Sequence, residues 1–223
     1  MRLERRGRRL ALGTALLGFA CGGKGGGGTG PCTPGAATQL LKNGGDAQAW
    51  YFDNPLPAAL SVKALDASNC AVPSVVVNWA VASGGGGVTP AQSTTNANGV
   101  ATATDSIGSS TPQSVTATPA ITTLPTITFS ATAATPPTSG AVSIKDNFFD
   151  PNTLTVKAGG TVTWTWAGNT SHTLTFTSGP APLPTETTAQ ATGTRAITFN
   201  TPGKYGYHCT LHGGMDGTLT VVH

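Results

Sequence analysis

The stretch Tyr205-Gly206-Tyr207-His208-Cys209-Thr210-Leu211-His212-Gly213-Gly214-Met215 carries a thiolate, an imidazole and a thioether at steps of three residues, on Cys209, His212 and Met215. Met215 is the sole methionine besides Met1. A second imidazole, His172, lies upstream in Thr170-Ser171-His172-Thr173-Leu174. Sulfur donors are soft and imidazole is borderline, a mixture that suits copper. One Cys and two His in a plane, with a weak axial Met, is the donor set of a blue-copper site. Zinc fits less well, because structural zinc favours more thiolates and does not select a thioether. The plain alternative makes these ordinary polar and small buried residues. A lone Cys-x-x-His would not exclude that, but the full set argues against it.

Such a site needs elements that aim its ligands. Strands are expected at residues 142–144, 153–156, 161–166, 172–176, 196–199, 204–209 and 218–222. Alternate side chains of a strand face the same way. Val162, Trp164 and Trp166 therefore share a face, His172 joins Leu174 and Phe176, and Cys209 joins Tyr205 and Tyr207. Two of the ligands thus fall on faces that read as core. Cys209 ends its strand, and His212 and Met215 follow on a loop that Gly213 and Gly214 allow to turn tightly. A site on strand ends is stiffer than one built wholly on loops. Stiffness suits copper, whose two oxidation states prefer different geometries.

Residues 141–223 resemble a cupredoxin of the plastocyanin and amicyanin group. The resemblance is carried by Phe149-Asp150-Pro151, Val156-Lys157-Ala158-Gly159, Val162-Thr163-Trp164, His172-Thr173, Pro202 through Cys209, and Gly217 through Val221. The short Cys-x-x-His-x-x-Met loop resembles that of the amicyanin-like members. The resemblance implies a Greek-key β-sandwich or barrel with one type 1 copper ion on His172, Cys209, His212 and Met215. It implies single-electron transfer between redox partner proteins, with an apolar docking end around Leu211 and His212. Backbone near Thr173 or Thr210 is expected to hydrogen-bond the Cys209 sulfur. His208 raises a multicopper or nitrite-reductase-like alternative. Such enzymes need further histidines, yet only His208 and His223 remain, and no His-x-His pair occurs. No open coordination position or paired acid and base is evident, so the chain does not read as an enzyme. Two other readings stay open: a copper-binding or delivery protein, and an adhesion module with a structural cupredoxin fold.

Residues 38–134 read as short strands separated by turns, including Val75, Val77, Trp79 and Val81 on one face and the turn Asn96-Ala97-Asn98-Gly99. This segment resembles bacterial immunoglobulin-like domains of the invasin and intimin type. It rests on residues 57–66, on Val72-Pro73 leading into Val77-Asn78-Trp79, and on Thr95 through Ala101. The implied role is a spacer or stalk. Residues 135–140 form a Pro-rich linker. The whole chain is therefore expected to be all-β, an N-terminal Ig-like sandwich followed by the cupredoxin sandwich.

The chain has a formal charge of +3, but Arg2, Arg5, Arg6, Arg8 and Arg9 crowd the first ten residues against Glu4. Without this segment the charge falls to about −1, so the basic balance implies no nucleic-acid partner. Residues 1–20 read as a signal peptide, with a basic start and an apolar run too short to span a bilayer. Leu16-Leu17-Gly18-Phe19-Ala20-Cys21 resembles a lipoprotein signal, which implies a lipid on Cys21 and membrane anchorage. Gly18 and Phe19 depart from that pattern, and an ordinary secretory signal is the other reading. The Gly-rich tether in residues 21–37 favours the first. Arg8-Arg9 also fits a twin-arginine start, although the rest of that motif is poor. Either export route places Cys32 and Cys70 in an oxidising compartment, where a disulfide between them is expected. Composition says nothing of oligomeric state.

Overall fold

The computed structural model describes residues 32–223. The expected signal peptide, the expected lipid on Cys21 and most of the expected tether lie outside the described residues.

Among the described residues every regular element is a strand. The first nine are β1 (Ala37–Gly44), β2 (Gln48–Tyr51), β3 (Leu60–Asp66), β4 (Val76–Ser83), β5 (Gly86–Thr89), β6 (Gln92–Thr94), β7 (Val100–Ile107), β8 (Gln113–Pro119) and β9 (Ile127–Ala134). They form two sheets, in the orders β1-β3-β7-β5 and β2-β9-β8-β4-β6. The other eight are β10 (Ser139–Lys145), β11 (Phe148–Asp150), β12 (Thr153–Lys157), β13 (Gly160–Trp166), β14 (Thr175–Ser178), β15 (Gly193–Phe199), β16 (Gly203–His208) and β17 (Asp216–Val222). These form two more sheets, β11-β10-β13-β15 and β12-β17-β16-β14. No sheet mixes strands from the two groups. β9 ends at Ala134 and β10 begins at Ser139.

Period-two patterning explains the layering. Along β7 the residues alternate, with Ala101, Ala103, Asp105 and Ile107 buried. Along β13 the fully covered Val162, Trp164 and Trp166 alternate with threonines. Burial of apolar side chains on one face of each sheet supplies the main drive to pack the layers. The result is two separate cores. One holds Leu40, Leu60, Val62, Val77, Trp79 and Phe129. The other holds Val142, Ile144, Trp164, Phe199, Tyr205 and Tyr207, and it also contains Cys209 and Met215.

Two features pin the chain outside its sheets. Cys32 and Cys70 form a disulfide, with Cα atoms 5.8 Å apart, which ties the segment before β1 to the turn after β3. Asn54 donates through Nδ2 to the His223 carbonyl (3.3 Å) and accepts the His223 N–H on Oδ1 (2.8 Å), joining the end of β17 to the loop after β2.

Candidate metal centre

Cys209 is the first residue after β16, whose pairing with β17 ends at His208 and Asp216. The chain then loops back within six residues. The Cys209 N–H donates to the Met215 carbonyl (3.0 Å) and the Met215 N–H to the His212 carbonyl (3.3 Å). Gly214 takes φ +78 inside this loop, a value glycine adopts without a Cβ clash. The turn is thus hydrogen-bonded across its base.

His172 arrives by a different device from the one its sequence suggests. It is not within a strand, because β14 begins only at Thr175. It makes an isolated bridge with Gln190, exchanging N–H to carbonyl bonds of 2.9 and 3.1 Å. Thr187 adds a second clasp, its hydroxyl accepting the Leu174 N–H at 2.8 Å. The expected strand fails at its start because the backbone of His172 pairs with the loop before β15 rather than with β16. The expected burial still holds: His172, Leu174 and Phe176 are all covered.

The ligating atoms of His172, Cys209 and His212 lie within 4.8 Å of one another. Both imidazoles approach through Nδ1. His172 Nδ1 lies 3.8 Å from Cys209 Sγ, and His212 Nδ1 lies 3.4 Å from it. The two rings sit 4.6 Å apart. Met215 is 1 % exposed and packs in the same core as Cys209. His208 is half-buried and lies outside this cluster.

The sulfur has protein donors of its own. The Thr173 N–H points at Cys209 Sγ from 3.5 Å, and Thr173 Oγ1 lies 3.9 Å away. Of the two residues expected to serve the sulfur, only Thr173 does so. Thr210 instead donates its N–H to Thr173 Oγ1 at 2.8 Å, locking the two segments together.

On the far side of His172 lies a group that the sequence reading missed. Asp146, in the β10–β11 turn, accepts bonds from the N–H groups of Asn169 (2.8 Å) and Thr170 (3.0 Å), from the Thr170 hydroxyl (2.9 Å) and from Asn169 Nδ2 (3.0 Å). These bonds, led by that of the Thr170 hydroxyl, hold the Asp146 carboxyl well below the usual carboxylate range. No local spacing signals this contact, since Asp146 and Thr170 are 24 residues apart.

With that geometry in view, comparison with known proteins is informative. A family model described as "Cupredoxin-like domain" matches residues 117–221. The match begins inside β8, but strand pairing assigns β8 to the N-terminal sheets. A plastocyanin of Scenedesmus fuscus is 37% identical over 83 residues, covering 33% of this chain and 85% of that protein. Amicyanin-alpha of Methylorubrum extorquens is 33% identical over 111 residues, covering 42% of this chain and 89% of that protein. Among solved structures, the oxidized plastocyanin of Dryopteris crassirhizoma is 29% identical, covers 37% of this chain and 99% of its own, and has a TM-score of 0.32.

Proposed function

This chain belongs to the cupredoxin-like family through its C-terminal half, and on that premise we propose that it is a type 1 copper protein that carries single electrons between redox partner proteins. The observation that carries the proposal is the convergence of two imidazole Nδ1 atoms on one buried thiol. The residues fit the ion: His172, Cys209 and His212 would hold it, and Met215 would add a thioether from the same core. Copper bound there supplies a reversible one-electron change.

The surrounding residues suit that task. Cys209 is 3 % exposed and packs with Tyr205 and Tyr207, which keeps water from the sulfur. Thr173 and the loop's own backbone bonds fix Cys209, so its position does not depend on a ligand. His212 is half-buried, beside Leu211, which is 53% exposed. That apolar rim is where we place the docking of a redox partner, with the edge of His212 as the electron port. The function is one of transfer, with no substrate chemistry.

The same reading assigns export, with Cys32–Cys70 as its support, because such disulfides persist in oxidising compartments. We take Cys21 as a lipid anchor and residues 38–134 as an Ig-like spacer that holds residues 141–223 away from the membrane. Separate cores for the two sets of sheets support this division.

Voltammetry of the copper-loaded protein in the presence of a Cu(I) chelator tests the assignment. Retained copper with reversible one-electron cycling is the expected result. Rapid surrender of Cu(I) to the chelator would replace electron transfer with copper delivery.

A further inference from the structure

His172 has two ring nitrogens, and the cluster uses only one. Nδ1 faces Cys209, while Nε2 points away from it into protein, on a ring with 0% exposure. A covered nitrogen of this kind needs a partner. Its partner is Thr170 Oγ1 at 3.1 Å, with Asp146 Oδ1 behind it at 3.5 Å.

The direction of these bonds can be deduced. An ionised carboxylate only accepts, so the Thr170 hydroxyl proton is committed to Asp146 across 2.9 Å. Thr170 Oγ1 then has only lone pairs to offer Nε2. The ring must therefore donate from Nε2, which leaves the Nδ1 lone pair free on the side of Cys209.

The carboxylate is held in place to do this. Asn147 follows it in the left-handed region at φ +68, which asparagine tolerates better than most residues. Gly168 leaves the room for contact, since a Cβ there would lie 2.5 Å from Asp146 Oδ1. Four hydrogen bonds from Asn169 and Thr170 then orient the group.

We propose that Asp146 is a positioning residue for the metal centre. Through Thr170 it fixes His172 as the Nε2–H tautomer, and its negative charge behind the ring favours the oxidised ion over the reduced one. The inference rests on the type 1 copper reading. Partners of this kind on a ligating histidine typically alter metal affinity by about 10–100-fold.

Two readouts separate the parts. In the metal-free protein at neutral pH, long-range proton–nitrogen NMR should show His172 protonated on Nε2. Thr170→Val should mix the tautomers, and Thr170→Ser should restore the wild-type pattern. In the copper-loaded protein, Asp146→Asn keeps an acceptor for Thr170 but removes the charge. A tenfold loss of preference for Cu(II) over Cu(I) would raise the reduction potential by about 59 mV. A proton on Nδ1 in the wild type, or an unchanged potential in Asp146→Asn, would overturn the proposal. A wild-type protein without a blue band would instead sink the copper reading and the charge effect with it, and the tautomer measurement would then decide the hydrogen-bond relay alone.

Discussion

Gly217 lies against the Tyr207 ring, where a Cβ would meet Cε2 at 2.3 Å and Cζ at 2.4 Å. Tyr207 in turn packs edge-on against Phe149 (4.9 Å) and Trp164 (5.6 Å), two residues before Cys209. Gly217→Ala should therefore overpack the core beneath the metal centre and lose about 1–3 kcal/mol in denaturant unfolding. A variant as stable as the parent would show that the ring moves aside freely. The same ring carries a hydroxyl with no hydrogen-bond partner, and Trp164 Nε1 is likewise unpaired. The indole lies near enough to temper the phenol slightly, but burial dominates and pushes Tyr207 up to about 12. Its hydroxyl thus stays neutral and buried at physiological pH. Tyr207→Phe removes a polar group that nothing satisfies, so it should leave stability unchanged or raise it by about 1 kcal/mol. A loss of that size would mean that the hydroxyl has a partner.

At the scale of elements, β3 ends in Asp66, whose carboxylate closes the turn that carries Cys70. It accepts the N–H groups of Gly35 (2.8 Å), Cys70 (2.9 Å) and Ser68 (2.8 Å). These bonds, that from Gly35 foremost, hold its carboxyl below the ordinary value of 3.8. The folded state then binds this proton more weakly than the unfolded chain does. Its contribution is complete above that ordinary value and is lost as pH falls through the folded value. Asp66→Asn should flatten the fall in stability below about pH 4; an unaltered acid limb would assign that fall to other carboxylates. Nothing local in the sequence signals this role of Asp66, because its first donor, Gly35, lies 31 positions before it. β13 was legible almost whole, as residues 161–166 against Gly160–Trp166, and the face shared by Val75, Val77, Trp79 and Val81 marks most of β4. β1 and β2 were not legible, since Leu41 and the half-buried Trp50 break a simple inside–outside pattern. β5 was hidden in Gly84 to Gly87, which reads as a turn yet pairs with β7 from Gly86 onward. The metal-ligand loop was legible because its chemistry lies within seven residues, whereas Asp146 was invisible because only the fold brings the β10–β11 turn to His172.

At the scale of the whole molecule, the disulfide serves one core and the thiol cluster belongs to the other. Replacing both Cys32 and Cys70 with serine, with no reductant present, should lower the stability of the N-terminal sheets by about 2–5 kcal/mol. The thiol cluster should keep its copper spectrum in that double variant. Joint loss of both would show that the two cores unfold as one. Asn54 bridges from the N-terminal strands to His223, and it is 2 % exposed. The account of the molecule stands or falls on its metal centre, and the most direct measurement is the visible and electron paramagnetic resonance spectrum of the purified protein with one equivalent of Cu(II). An intense blue thiolate-to-copper band with narrow copper hyperfine splitting, absent in Cys209→Ala, is the predicted result. A colourless protein with an ordinary copper signal, unchanged in Cys209→Ala, would contradict it.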